Sequence, residues 1–337
     1  MAEITIVEAI REAIREEMQR DERVFCIGED IGIKGGFGGA FTVTLGLTEE
    51  FGHDRIIDTP ISEIAICGLA IGSAVAGMRP IADVQYGDFL FCMMDQIANQ
   101  APKLRYMSGG QVSVPLVMRA PVGSTRRGAQ HAQCLEGFFT HVPGLKVVVP
   151  STAYDAKGLL KSAVRDDNPV LFFEHKMLYG SKGARAVEGA LTPIGDVPEG
   201  EYLVPIGKGI VRREGKDVTI VAIHRELYYS LSAADKLAKR GLDVEIIDPR
   251  TLVPLDKELI YKSVRKTGRL VIVEEDNLTN GWGAEIAALA ADEIFEWLDA
   301  PIKRVAAPDV PPPFAPVLEK EYLPSEEKII NAVLSIT

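Results

Sequence analysis

The sequence predicts an α/β protein of two domains, each built on a mostly parallel sheet covered by helices. Three observations predict it. The candidate strands are continuous apolar runs rather than alternating ones, which marks strands buried on both faces. These runs alternate with stretches of helical period, the rhythm of βαβ units. The alternation occurs twice, on either side of a Gly-, Pro- and charge-rich stretch from about Lys176 to Gly215. A chain of 337 residues has room for two such domains. Their expected bounds are 1–185 and 211–337, with a linker over 186–210.

Taken in order, Thr5 and Glu8 fit a capping box, and Ile10, Ala13, Ile14 and Met18 follow at helical spacing. Strands are predicted at Val24–Ile27, Arg55–Ile57, Ile81–Gln85, Leu116–Arg119, Lys146–Val149 and Val170–Phe173. Helices are predicted at Ser62–Gly77, Asp88–Met107 and Ala153–Asp166. In the second half, strands fall at Val218–Ile223, Val244–Ile247, Leu270–Val273 and Ile302–Val305, and helices at Glu226–Lys239, Asp256–Lys266 and Gly283–Leu298. Ala307–Pro316 is too proline-rich for a helix or a central strand and is expected to run as an extended arm. A last helix is expected from Ser325 to Leu334.

Charge and motif content exclude several classes. A net charge of -11 repels phosphate backbones and anionic membrane faces, which argues against nucleic-acid and membrane partners. The longest uncharged stretch near the start, Ile64–Met78, is short of the roughly 20 residues a membrane span needs. A cytoplasmic location is expected, or an organelle matrix after loss of a transit peptide. Cysteines 26, 67, 92 and 134 form no CxxC pair, so reduced and mostly buried thiols are expected rather than a zinc ribbon. Neither Gly35–Gly39 nor Gly281–Gly283 satisfies a dinucleotide-binding fingerprint, and no P-loop, nucleophile elbow or HExxH is present.

Three places carry candidate chemistry. In Asp58–Glu63 a strand ends, Pro60 turns the chain and Ser62 can cap a helix. Glu63 then stands in the first turn of a helix with no further charge to Gly77. Such a carboxylate either complements the helix dipole or serves as a functional acid in an apolar pocket, where its pKa would rise. His131 lies on a polar, Gly-rich loop beyond the strand Leu116–Arg119, a position suited to acid–base work or to a structural hydrogen bond. Gln85–Phe91 places aromatic rings where a sheet meets a helix, either as core or as a platform for a heteroaromatic ring.

These stretches, with Gly28-Glu29-Asp30, Arg79-Pro80, Asp88-Phe89, Asp95-Gln96-Ile97, Tyr106–Gly110, Gln130-His131, Pro143–Val148, Asp155–Leu159 and Asp248–Leu252, resemble one family. It is the beta subunit of the thiamine-diphosphate-dependent, decarboxylating first component of 2-oxo acid dehydrogenase complexes. The likeness runs from about Thr5 to Ala332, and within the family Phe139–Leu178 somewhat resembles acetoin or pyruvate members. The resemblance implies a pyrimidine-binding N-terminal domain and a transketolase-like C-terminal domain. It implies that Glu63 hydrogen-bonds the pyrimidine nitrogen of thiamine diphosphate, that Phe89 stacks on that ring and that Gln85 lines its pocket. His131 would face the substrate carbon and the incoming lipoyl group. Leu116, Ala163, Asp166 and Asn168 match positions that bind potassium in some members, largely through backbone carbonyls.

The chain departs from the family at Ala132, where a serine is common, and at His224-Arg225-Glu226, where a small residue and glycine are usual. It has no GDG motif, so no dedicated magnesium–diphosphate set of its own. The resemblance then implies half a site, completed by an alpha subunit that holds most of the magnesium. The expected assembly is an α2β2 heterotetramer serving a lipoyl-bearing acyltransferase. The expected reaction is oxidative decarboxylation of a 2-oxo acid, pyruvate first. Acetoin or branched-chain substrates, and a split transketolase-type transferase, are the alternatives.

Overall fold

A computed structural model describes residues 2–180, 191 and 193–337. The expected end of the first domain at 185 and the start of the linker lie outside the described residues. A short strand β1 (Ala2–Thr5) leads into α1 (Ile6–Arg20), whose start is fixed by the expected capping box. The Thr5 hydroxyl accepts the Glu8 N–H at 3.3 Å, and the Glu8 carboxylate accepts the Thr5 N–H at 2.9 Å.

The N-terminal sheet contains β2 (Val24–Glu29), β3 (Ile56–Thr59), β4 (Arg79–Asp83), β5 (Val117–Val122), β6 (Lys146–Val148) and β7 (Val170–His175), all parallel to their neighbours. Their spatial order is β6-β7-β5-β4-β2-β3. The helices of this half are α2 (Leu47–Phe51), α3 (Glu63–Val75), α4 (Leu104–Met107), α5 (Glu136–Thr140) and α6 (Ala153–Arg165). Helices α1 and α6 pack side by side on one face through Ile10, Ile14, Met18, Leu159 and Leu160. Opposite charges run along the seam: Lys157 meets Glu12 at 3.0 Å and Glu16 at 2.7 Å, and Lys161 meets Glu16 at 2.7 Å. On the other face α3 buries Ile66, Cys67, Ala70, Ile71 and Ala74.

Predicted helix Asp88–Met107 is replaced by three short pieces: a 3₁₀ segment Gly87–Met93, a π segment Asp95–Gln100, and α4. Asp95 takes hydrogen bonds from the Asn99 and Gln100 side chains; Ala101 keeps right-handed helical geometry, and Pro102 after it can donate no backbone N–H.

The second half contributes β8 (Ile194–Val197), β9 (Ile210–Arg213), β10 (Val218–Ala222), α7 (His224–Ala238), β11 (Val244–Asp248), β12 (Thr251–Val253), α8 (Lys257–Thr267), β13 (Leu270–Asn277), α9 (Trp282–Glu293), β14 (Lys303–Ala307), α10 (Pro316–Tyr322) and α11 (Glu326–Leu334). Its sheet runs β14-β13-β10-β11-β9, parallel except for β9. Two strands cross between halves. β8 pairs antiparallel with β1, and β12 pairs antiparallel with β6, adding a seventh strand to the N-terminal sheet. One apolar cluster runs from α3 and the N-terminal sheet to Ile260 and Val264 of α8 and Ile286 and Ala290 of α9, so the halves share a core. The cysteines are free, and Cys26, Cys67 and Cys134 are buried. Among the described residues no helix is long and apolar enough to cross a membrane.

Candidate active site

In a parallel sheet the loops beyond the carboxyl ends of the strands form the usual ligand crevice. Four neighbouring strands, β5-β4-β2-β3, deliver the sequence-predicted residues to that edge. Glu29 ends β2, Glu63 opens α3 after β3, Gln85 and Phe89 follow β4, and His131 lies on the loop after β5. Glu63, Gln85, Phe89 and His131 are all half-buried. The Gln85 side-chain amide donates to the Glu29 carbonyl at 3.0 Å. Burial raises the pKa of the Glu29 carboxyl, and the nearby charges of Asp30, Glu63 and Asp58 raise it further. Glu63 therefore stands within electrostatic reach of a second carboxyl, an acidic pair at the crevice edge.

Ser62 occupies the N-cap position of α3, but its hydroxyl donates to the Pro60 carbonyl at 3.2 Å instead of capping the helix. Glu63 is consequently the charge that complements the helix N-terminus. Ile61 and Ile64 beside it are exposed.

The aromatic residues form a connected set. The His131 ring stands edge-on to Tyr86 at 4.9 Å and to Phe89 at 5.4 Å, and Tyr86 stands edge-on to Phe89 at 5.7 Å. The His131 loop (123–133) has no helix or strand and is held by side chains around it. Gly123 adopts φ +93° and lies so close under His175 that a Cβ would fall 2.2 Å from the ring nitrogen. The Ser124 N–H donates to Glu275 at 2.5 Å, and the Arg126 N–H donates to Glu319 at 2.7 Å, so the C-terminal half grips the loop. Ala132 is buried, and its carbonyl accepts the Ser124 hydroxyl at 3.3 Å.

The interface beneath this loop is highly charged. Glu275 meets His175 Nε2 at 3.0 Å and is paired with Arg225, while His224 Nδ1 lies 3.3 Å from Glu136. The unusual His224-Arg225-Glu226 segment thus builds the domain interface. Burial lowers the pKa of His175 to about 4, keeping the ring neutral. Among the described residues, the one cluster of cysteine, histidine and carboxylate ligands is Cys134–His175–Glu275, in this interface and already engaged by Arg225 and Ser124.

Asp276, beside it, accepts the Gly137 N–H at 2.9 Å and the Asn277 N–H at 2.8 Å. Burial, reinforced by Glu136, pushes its pKa up to about 8 from the ordinary 3.8. The folded state binds this proton more tightly than the unfolded chain, so the associated stability is present at low pH and is lost as pH rises from about 4 through 8. Asp276→Asn, which still accepts the Gly137 N–H, therefore gains stability over the parent as pH rises. Urea unfolding midpoints at pH 5 and pH 8 should show the difference growing with pH.

The potassium candidates meet at a different corner, where α6 ends and β7 begins. The Leu116 carbonyl accepts the Val170 N–H at 2.8 Å and the Ala163 carbonyl accepts the Asp166 N–H at 3.2 Å, leaving each oxygen a second lone pair. The Asp166 carboxylate takes Asn168 Nδ2 at 2.9 Å and is paired with Lys146.

Sequence reasoning gave no individual role to Glu29, Tyr86, Lys176 or Glu275. The signal for the last two was present: Glu174-His175-Lys176 and Glu274-Glu275-Asp276 extend apolar strands with charge, and charge in a buried strand has to be paired.

The two folded halves are matched by family models. Residues 2–182 match the transketolase pyrimidine binding domain, and residues 207–329 match the transketolase C-terminal domain. A solved split gene transketolase in an inactive beta4 tetramer superposes with a TM-score of 0.78 at 23% identity, covering 99% of this chain and 98% of that one, a likeness of fold. The class is therefore a two-domain transketolase-type chain.

Sequence relatives narrow it. The acetoin:2,6-dichlorophenolindophenol oxidoreductase subunit beta of Bacillus subtilis (strain 168) is 45% identical, over 99% of this chain and 97% of that protein. The 2-oxoisovalerate dehydrogenase subunit beta of the same strain is 46% identical, over 99% and 98%. The pyruvate dehydrogenase E1 component subunit beta of Rickettsia felis (strain ATCC VR-1525 / URRWXCal2) is 47% identical, over 99% and 98%. The chain belongs to the family of E1 beta subunits of 2-oxo acid and acetoin dehydrogenases.

Proposed function

We propose that this chain is the beta subunit of a thiamine-diphosphate-dependent 2-oxo acid dehydrogenase that decarboxylates pyruvate and acylates lipoyl groups of an acyltransferase component. The observation that carries the reading is the meeting of Glu63, Gln85, Phe89 and His131 at the ends of four adjacent parallel strands. A carboxyl and aromatic rings delivered to one edge of the sheet fit an aminopyrimidine: one edge needs a hydrogen bond at a ring nitrogen, and one face needs an apolar surface. When bound, thiamine diphosphate supplies the nucleophilic carbon and the electron sink for loss of carbon dioxide. Glu63 holds a proton at the pyrimidine nitrogen. Phe89 and Gln85 orient the ring. His131 gives a proton to a dithiolane sulfur of the lipoyl group as it is reduced.

The chain's own surface supports a partner. Ile64, Leu69 and Val75 leave an exposed apolar stripe on α3 next to Glu63, and a Cβ at Gly68 or Gly72 would meet open space. An alpha subunit covering this region completes the site, holds the diphosphate and magnesium, and gives an α2β2 assembly. Potassium held by the Leu116, Ala163, Asp166 and Asn168 carbonyls is a structural cation in this reading, beside the Arg79 guanidinium that donates to the Asp166 carbonyl at 3.2 Å. Bacterial relatives support a cytoplasmic setting.

The test is co-expression with an alpha subunit, then turnover with thiamine diphosphate, magnesium and a lipoyl domain. Pyruvate should give the highest kcat/KM and reduce the lipoyl domain. A higher value with acetoin or a branched-chain 2-oxo acid reassigns the substrate. Transfer of glycolaldehyde units between sugar phosphates without lipoyl reduction would replace the reading with a transketolase-type one.

A further inference from the structure

Lys176 is 1% exposed, in the turn that follows β7. An ammonium taken out of water is costly unless it is bonded or paired. Here its Nζ donates to the backbone carbonyl of His131 at 2.8 Å and lies 5.2 Å from the centroid of the Tyr86 ring, whose edge contacts the His131 imidazole. The carboxylate that acts on it most strongly through space is Asp88. That carboxylate is committed through Oδ1 to Gln133, accepting its side-chain amide at 2.7 Å and its backbone N–H at 3.3 Å, while Oδ2 is buried without a hydrogen-bond partner. Burial lowers the Lys176 pKa to about 8, with the Asp88 charge opposing the shift.

Three consecutive residues of an irregular loop are thus tied down: His131 by Lys176, Ala132 by Ser124 and Gln133 by Asp88. Asp88 precedes Phe89, so the same framework joins the histidine loop to the aromatic platform. Loop residues that perform chemistry need this kind of support, because the loop's own backbone supplies little: the His131 N–H donates to the Gly128 carbonyl at 3.3 Å and the Gly123 N–H to the Gln133 carbonyl at 3.3 Å.

We propose that Lys176 is a positioning residue for His131, its ammonium fixing the loop backbone and the Tyr86 ring against which the imidazole is seated. The proposal rests on the role given to His131 above. Lys176 touches neither substrate nor cofactor; it acts through the histidine. Misplacing a reacting group by about 1 Å can cost about 10²-fold. Lys176→Met in the assembled enzyme should therefore lower reductive acylation of a lipoyl domain by about 10- to 100-fold. Dye-coupled decarboxylation should change by less than about 3-fold, and Lys176→Arg should restore most of the acylation. Combined with His131→Ala, Lys176→Met should add no further loss, as expected of residues acting as one unit.

A second readout needs no cofactor. In the full chain alone, hydrogen exchange of amides 124–133 should quicken at least about 10-fold in Lys176→Met and stay near the parent rate in Lys176→Arg. If Lys176→Met does not fold, Lys176→Leu, which also removes the donor to the His131 carbonyl, replaces it in both measurements. Equal loss of both half-reactions, or unchanged exchange over 124–133, overturns the proposal. If His131→Ala itself leaves lipoyl acylation intact, the role of His131 fails instead, and the two failures are told apart by that single variant.

Discussion

Glu63→Gln lowers thiamine-diphosphate-dependent turnover of the assembled enzyme by about 10²–10⁴-fold, the range expected when a positioned acid loses its exchangeable proton. The amide keeps the size of the side chain and can still touch a ring nitrogen, but it cannot give up or accept a proton there. The fold should not register the change. Glu63 is half-buried at the head of α3, so the substitution removes its interaction with the α3 N-terminus and its repulsion of Glu29. That interaction is worth about 0.3–1 kcal/mol at exposed sites. The informative result is the split between a large fall in turnover and a urea midpoint displaced by little. Full turnover in Glu63→Gln would remove the proposed acid from the mechanism. A fall in turnover matched by a collapse in stability would assign Glu63 to helix structure, the alternative its position in the first turn of α3 leaves open.

The sequence disclosed the parallel strands because burial on both faces writes them as unbroken apolar runs, as in Val170–Phe173 within β7. It disclosed Glu63 for the complementary reason: one charge at the head of an otherwise uncharged helix stands out. It did not disclose the partners of that charge. Glu29 and Gln85 meet across β2 and β4 through a crossover, and Lys176 reaches His131 from a residue 45 positions away. Such contacts follow from strand order, which a period of 2 or 3.6 does not encode. The crossing strands were hidden for a related reason. β12 has only three residues and pairs with β6 from the other half, while β1 finds β8 nearly two hundred residues on. Short edge strands carry too few apolar positions to show a period. The Asp88–Met107 segment misled because its apolar spacing is helical while its hydrogen bonding is 3₁₀ and π, a difference that apolar spacing does not encode.

The sheet beneath the crevice carries the largest expected stability effect. Arg119 on β5 is 1% exposed and grips Glu174 on β7 with two parallel bonds, Nε to Oε1 at 2.7 Å and Nη2 to Oε2 at 2.6 Å. Its remaining terminal nitrogen donates to Asp83 on β4, and Tyr179 donates to Glu174. Burial by itself would lower the Arg119 pKa, but the Glu174 and Asp83 carboxylates outweigh it and hold the guanidinium pKa well above its ordinary value. Three neighbouring strands are therefore locked in register by one cation. Arg119→Met removes that cation and leaves the buried Glu174 carboxylate and the half-buried Asp83 carboxylate without it, with a loss of about 3–5 kcal/mol in unfolding free energy. Denaturant unfolding should show the midpoint fall with the slope unchanged, the sign of a stability change without altered compactness. Because the loss comes from stranded charge rather than from a missing attraction, Arg119→Met/Glu174→Leu should regain a substantial part of it, and the two changes will be far from additive. Tyr179 would then lose its acceptor, so a Tyr179→Phe change that is destabilising in the parent should become nearly neutral in the double variant. If Arg119→Met and Glu174→Leu instead sum to their separate costs, the three strands are held by packing alone and the guanidinium is incidental to their register.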